Sequence, residues 1–410
     1  MKFNQIFEWL RKKTLINNLV DLSSSSVLVV GLGFLYSLFL ARTLTPENLG
    51  QYFLLITFYS VIERVFNPNT WQAYVFFHEA KSNKELLATN LISIDFYSYF
   101  FGAIIFFLSS QLIFNDTPNY ILALGSLSLL SHFFDFSLGV MRVKNNYKSL
   151  GATLVTPVAS RLGLSLIMVF FLSFNGPNDF LCIYFISVIV QSGYKFIYCK
   201  ENNLKLRIHF KTKIEYVKYC FINSLNQTTR VVLRQTDVFL VEFFLGTLAV
   251  GLLKIMKDFS NLLTQLTEPI YQVLFPYFRA KRFLENNKTA NKATLILLLI
   301  SCVGYTFFLI SGEMIITTLL GDSYSQAFTE LIHYLIPSIL TVVTLPLLAI
   351  LMSTGYHTQY LLIQLISILI GIMVWAFTIS YFGLIGLTFG YLVQKIIEII
   401  FCVQIIKKNN

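Results

Sequence analysis

Residues 20–65 read VDLSSSSVLVVGLGFLYSLFLARTLTPENLGQYFLLITFYSVIERV: an apolar run over 20–40, a polar joint, and a second apolar run over 48–65. Each run is close to the roughly 20 residues that a helix needs to cross a hydrocarbon core. The joint, Thr45-Pro46-Glu47-Asn48, is turn chemistry. Neither run alternates strictly between polar and apolar, so both read as helices rather than as strands of a lipid-facing barrel. The same unit recurs along the chain. Further apolar runs fall at about 90–112, 119–141, 151–173, 179–199, 219–244, 247–275, 293–312, 328–352, 359–380 and 384–406. Between them lie Asn115-Asp116-Thr117-Pro118, Asn175-Gly176-Pro177-Asn178 and Gly321-Asp322. The composition agrees. Of 410 residues 55% are apolar and 13% charged, against about 25% charged in typical soluble domains. So few charges cannot clothe a soluble globule of this size, which excludes an ordinary soluble enzyme, a nucleic-acid binder and a disordered chain. The predicted class is an all-α polytopic membrane protein with twelve transmembrane helices.

The distribution of Lys and Arg orients the spans. With the N-terminus placed in the cytoplasm, the inner segments hold 23 of the 31 basic residues, and the outer joints hold Arg42 alone. That asymmetry predicts cytoplasmic termini at both ends and accounts for the net charge of +10 without a nucleic-acid partner. All outer connections are short, so function is expected within the helix bundle or at its faces. Residues 2–13 place Phe3, Ile6, Phe7 and Leu10 on one face ahead of a basic cluster, the pattern of an interfacial helix. The five cysteines form no C-x-x-C pair and read as small core residues.

The Lys-rich connection at 201–218 divides the chain into an N-terminal six-helix lobe (1–200) and a C-terminal one (219–410). An offset of 201 residues aligns Leu44 and Gly50 with Leu245 and Gly251. Halves with an even number of spans have the same orientation, and a binding site is expected between them.

Seven basic residues remain within spans: Arg161, Lys195, Arg230, Arg234, Lys254, Lys257 and Lys395. Each costs roughly 2.5–3.5 kcal/mol at a helix centre. Lys195 and Lys395 stand near helix ends and are expected to snorkel. In the seventh span Asn223, Asn226, Arg230, Arg234 and Asp237 follow one another by three or four residues, on one helical face. The eighth span repeats the pattern with Lys254, Lys257, Asp258, Asn261, Gln265, Glu268 and Gln272. From 254 to 272 is about 27 Å of helix, nearly the thickness of the hydrocarbon core. Such a ladder must face a partner helix or water. A local network, Arg234 with Asp237 and Lys254 with Asp258, is the plain structural reading, but it leaves cations in surplus. Interleaved Asn and Gln offer donors and acceptors that suit a sugar. The expected substrate-binding set is Arg230, Arg234, Lys254, Lys257, Arg161, Asn226, Asn261 and Gln265. Candidates for coupling to H+ or Na+ are Asp237, Asp258, Glu268 and Asp135, the last three residues after His132. The sequence contains no P-loop and no recognisable metal or catalytic motif, so no cofactor, metal or enzymatic activity is expected.

Ala41-Arg-Thr-Leu-Thr-Pro-Glu-Asn-Leu-Gly-Gln-Tyr-Phe53 resembles the first outer turn of Wzx-type polysaccharide repeat-unit flippases. Arg234-Gln-Thr-Asp-Val-Phe-Leu-Val-Glu-Phe-Phe-Leu-Gly246, followed by Val250-Gly251, is similar to the start of their second half. Leu252-Leu253 departs from the family, whose members often carry Tyr there. The resemblance implies a MATE-like fold in two six-helix lobes, shared with multidrug extruders and the lipid II flippase. It implies alternating access and a cargo of oligosaccharide on polyprenyl pyrophosphate, moved to the outer leaflet for surface polysaccharide such as O-antigen of lipopolysaccharide, with a polymerase as a further partner. It carries Asp237 and Arg234 over as family residues. An ion-coupled drug or solute antiporter of the same fold is expected to have an acidic, apolar pocket instead. A membrane polymerase or ligase is expected to have a large outer loop.

Overall fold

The computed structural model describes residues 13–78, 84–173, 176–202, 204, 207–209, 212–262, 283–353 and 357–408. The predicted interfacial helix at 2–13 lies almost wholly outside the described residues, as do Gln265, Glu268 and Gln272. Among the described residues the ordered elements are all helical. They are α1 (Lys13–Thr43), α2 (Pro46–Val65), α3 (Thr70–His78), α4 (Lys84–Ile113), α5 (Asn119–Ser131), α6 (Ser137–Val143), α7 (Tyr147–Leu172), α8 (Pro177–Glu201) and α9 (Ile214–Leu245). There follow α10 (247–262), α11 (Phe283–Leu320), α12 (Ser325–Ser353), α13 (His357–Phe382) and α14 (Ile385–Lys408). Among the described residues, nine stretches are long and apolar enough to cross a membrane. The more polar α2, α9 and α10 occupy the places of the predicted second, seventh and eighth spans. The protein is an all-α, multi-pass membrane protein.

The contacts group the chain into two compact units: Ser37–Leu54 with Leu233–Asn410, and Lys2–Tyr36 with Leu55–Val232. The division falls inside α1, α2 and α9.

In the unit containing residues 55–232, α4 packs on α5, α5 on α8, and α7 on α8. Tyr59 lies 5.2 Å from the Phe185 ring and edge-on to Phe106, in the fully buried core. The fourth span, predicted as one helix, is broken by a 3-10 turn over His132–Phe134. The backbone donor of Phe136 that this break releases is taken by the Asp95 carboxylate at 3.1 Å, and Thr70 donates its hydroxyl to the same group at 2.7 Å. A helix interruption with its donor satisfied in this way is tolerated within a bilayer. Asp135 accepts from Lys195 at 2.5 Å and from the Tyr99 hydroxyl at 2.9 Å. Lys195 therefore does not snorkel. It is 2% exposed and neutralised in the interior. The His132 ring nitrogen stands 3.6 Å from Asp135, beyond hydrogen-bond distance.

In the other unit, α11 and α12 pair through a turn at Gly321 (φ +100°), and α13 and α14 through Gly383 (φ +60°). The Tyr324 hydroxyl donates to the Leu44 carbonyl at 3.0 Å, satisfying an acceptor left over just past the end of α1. The crossing of α2 with α10 is reciprocal. A Cβ on Gly50 would lie 1.9 Å from the Thr247 carbonyl oxygen, and one on Gly251 would lie 1.8 Å from that of Pro46. Residues 46 and 247, and 50 and 251, are each 201 apart, the offset at which the two halves align. Each helix start therefore offers its glycine to the other's carbonyl, as a local two-fold relation requires. Gly246 (φ +82°) makes the left-handed turn that ends α9 and starts α10.

Candidate functional site

The α2–α10 crossing fixes one end of α10 and sets its polar face. Lys254, Lys257, Asp258 and Asn261, spaced by three or four residues, all line one cavity of about 530 Å³. α9 contributes Arg234 and Gln235, α12 contributes Ser338 and Thr341, and α13 contributes Trp375. From α14 come Tyr391, Gln394 and Lys395. The volume falls in the range of small-molecule sites, about 300–1,000 Å³. Among the described residues, four cations reach its wall against one carboxylate, Asp258.

Those cations differ in what neutralises them. Lys254 donates to Asp258 and, at 3.2 Å, to Ser37; Ser37 donates to the same carboxylate. This i,i+4 pair is the one read from the sequence. Lys257 is held by Asp237 of α9 at 2.7 Å, and the Tyr391 hydroxyl donates to Asp237 at 2.5 Å. Asp237 is fully buried, whereas Arg234 on the same helix is exposed. The local pair Arg234–Asp237 is thus replaced by a link between two helices. The Arg234 guanidinium makes no ion pair or hydrogen bond with any described residue, and it lines the cavity.

Of the remaining expected residues, Arg161 lies in the other unit. It donates to Ser187 at 2.8 Å and stacks 4.0 Å over the Tyr184 ring, with no carboxylate partner among the described residues. Asp135 is in that unit too, paired with Lys195. The backbone of Asn226 and Arg230 continues α9, while Gln265 and Glu268 fall beyond the described part of α10.

Sequence reasoning missed a third polar face. Tyr391, Gln394, Lys395 and Glu398 follow at i, i+3, i+4 and i+7 along α14, the same spacing that drew attention to α9 and α10. Lys395, read as a snorkelling residue, instead donates to the buried Glu398 at 2.8 Å and lines the cavity. Two glycines turn this face inward. A Cβ on Gly386 or Gly390 would strike the Thr378 carbonyl or the Trp375 ring, so α14 lies hard against α13.

A family model described as "Polysaccharide biosynthesis protein" matches residues 39–329. The chain belongs to the polysaccharide biosynthesis protein family. The matched stretch contains both glycines of the crossing, the described chamber residues of α9 and α10, and the start of α12. No curated protein sequence matches the chain. Among solved structures, a lipid II flippase, MurJ, in an inward closed conformation is similar over 96% of this chain and 87% of its own, with a TM-score of 0.78 and 16% identity. An inward-facing multidrug resistance MATE transporter of the MOP superfamily covers 94% and 95%, with a TM-score of 0.72 and 13% identity. A MOP superfamily transporter from Pyrococcus furiosus, described as having a binding pocket of reverse polarity, covers 95% of both chains, with a TM-score of 0.66 and 14% identity. The family member thus has the MATE-like fold that its sequence resembled.

Proposed function

We propose that the protein is a flippase that carries polyprenyl-pyrophosphate-linked oligosaccharide repeat units from the cytoplasmic to the outer leaflet of a bacterial inner membrane, for surface polysaccharide synthesis. Its two six-helix lobes give alternating access, and both termini are cytoplasmic. The observation that carries this reading is the hollow, cation-lined chamber with Arg234 on its wall, without an ion-pair partner among the described residues. A pump for cationic drugs needs the opposite polarity. Membership of the polysaccharide biosynthesis protein family supports the substrate class.

The ion pairs support a mechanism. Lys254 and Lys257 are neutralised by Asp258 and Asp237. Phosphate oxygens accept charge-assisted hydrogen bonds as carboxylates do, so an arriving pyrophosphate exchanges with those carboxylates for the same ammonium groups. The displaced Asp237 or Asp258 is then free to take up H+ or Na+, which couples loading to ion binding. Outward movement of negative charge across an inside-negative membrane is itself favourable by about 2.3 kcal/mol per charge per 100 mV.

Arg234→Gln tests the site. A hydrogen bond to a charged group contributes roughly 1.5–3 kcal/mol, so surface polysaccharide synthesis is expected to fall by about ten- to a hundredfold. Because Arg234 holds no other described residue, protein level and thermal stability in the membrane are expected to stay at the wild-type value. Wild-type polysaccharide from this variant overturns the proposed substrate site.

A further inference from the structure

Beside the chamber, and sharing Arg234, Thr341 and Lys395 with it, is a smaller cavity of about 140 Å³. Its other polar groups are Thr344 of α12, Tyr360 and Gln364 of α13 and Glu398 of α14, set among the apolar Leu345, Leu347, Ile399 and Cys402. The groups here are unequal in a way that specifies a ligand. Glu398 is satisfied, by Lys395 at 2.8 Å, Gln394 at 3.2 Å and Ser367 at 3.3 Å. The local charge is therefore that of Arg234 alone. Gln364 is 6% exposed; its amide nitrogen donates to the Tyr360 hydroxyl at 2.7 Å, and its oxygen Oε1 is buried with no partner. A buried acceptor without a donor costs about 1–3 kcal/mol. Among the described residues, the pocket thus holds one cation without an acceptor and one acceptor without a donor.

A fully deprotonated pyrophosphate offers acceptors only and leaves Oε1 unmet. A neutral sugar supplies hydroxyl donors but no anion for Arg234. A sugar bearing a carboxylate supplies both. Resting on the flippase reading, we infer that this side pocket is a selectivity site that receives one acidic sugar residue of the repeat unit, its carboxylate on Arg234 and a hydroxyl donating to Gln364 Oε1. The larger chamber then holds the rest of the head group, including the pyrophosphate at Lys254 and Lys257.

The test uses the purified full-length chain in detergent, with D-glucuronate, D-glucose and inorganic pyrophosphate as probes and the shift in melting temperature as the readout. Glucuronate is expected to stabilise the wild type at concentrations at least tenfold below those at which glucose does. Gln364→Leu is expected to weaken the glucuronate response about tenfold and to leave the pyrophosphate response unchanged. Gln364→Glu, which sets a second carboxylate against the ligand's own, serves if the leucine variant does not fold, and is expected to abolish the glucuronate response. Equal responses to glucuronate and glucose, or a glucuronate response that survives both substitutions, overturn the inference. Failure here is separable from failure of the flippase reading. Polysaccharide export that depends on Arg234, in a protein blind to glucuronate, removes only the side pocket. Glucuronate binding that depends on Gln364 and Arg234, in a protein whose deletion from the cell leaves surface polysaccharide at the wild-type level, upholds the pocket and removes the flippase.

Discussion

Gly251→Ala is expected to lower the melting temperature of the purified protein sharply, and Gly50→Ala is expected to do the same. The added methyl would stand 1.8 Å from the Pro46 carbonyl oxygen in the first case and 1.9 Å from the Thr247 carbonyl oxygen in the second. Both obstacles are backbone atoms at the start of a helix, so no rotamer change relieves the clash, and α2 and α10 must separate. Overpacking commonly costs about 1–3 kcal/mol, and a clash with fixed backbone on both sides belongs at the top of that range. At roughly 2–4 °C per kcal/mol for a unit of about 200 residues, a purified variant should melt about 6–12 °C below the wild type. Gly163→Ala is the matched control, since a Cβ there meets nothing within 4 Å. It should melt as the wild type does. If Gly251→Ala melts within a degree of that control, the close crossing is not a feature of the folded protein.

The positions of these glycines were legible in the sequence; their relation was not. Repeating apolar runs and turn joints marked the spans, and the 201-residue offset paired Gly50 with Gly251. That each glycine faces the other's turn depends on how two distant helices meet, which no local pattern encodes. The same limit explains the ion pairs. Lys254 and Asp258 are four residues apart on one helix, so their pairing follows from helical geometry. Asp237 sits three residues from Arg234 yet pairs with Lys257, twenty residues on, because α9 turns Asp237 inward and leaves Arg234 exposed. Lys195 and Lys395 lie near helix ends, where snorkelling is the ordinary outcome. Both are drawn inward instead, by carboxylates at Asp135 and Glu398. The Glu398 partner could have been found: Tyr391, Gln394, Lys395 and Glu398 make a polar stripe as regular as the one on α10. The break at His132–Phe134 left no trace in hydropathy, since its donor is satisfied by Asp95 from another helix.

Breaking the Asp237–Lys257 pair separates its structural role from its transport role. Asp237→Ala leaves the Lys257 ammonium, 15% exposed, without its carboxylate, and removes the acceptor of the Tyr391 hydroxyl. Orphaning one partner of a buried pair costs about 3–5 kcal/mol, so this variant should show both a sharp loss of thermal stability and no surface polysaccharide. Lys257→Met leaves the fully buried Asp237 charge and should be as severe. The double variant Asp237→Leu with Lys257→Met removes both charges and replaces them with apolar groups of similar size. Such replacements are often neutral or stabilising, so its melting temperature should return to near that of the wild type. Export should not return with it, because the ammonium for the pyrophosphate and the carboxylate that it displaces are both gone. A fall in polysaccharide of at least about a hundredfold corresponds to the loss of roughly 2.7 kcal/mol of substrate stabilisation. A double variant that both folds and exports at the wild-type rate would reduce this pair to a structural clamp between α9 and α10. Coupling through displacement of Asp237 would then be wrong, and Asp258 at Lys254 would be the carboxylate among the described chamber residues left to perform it.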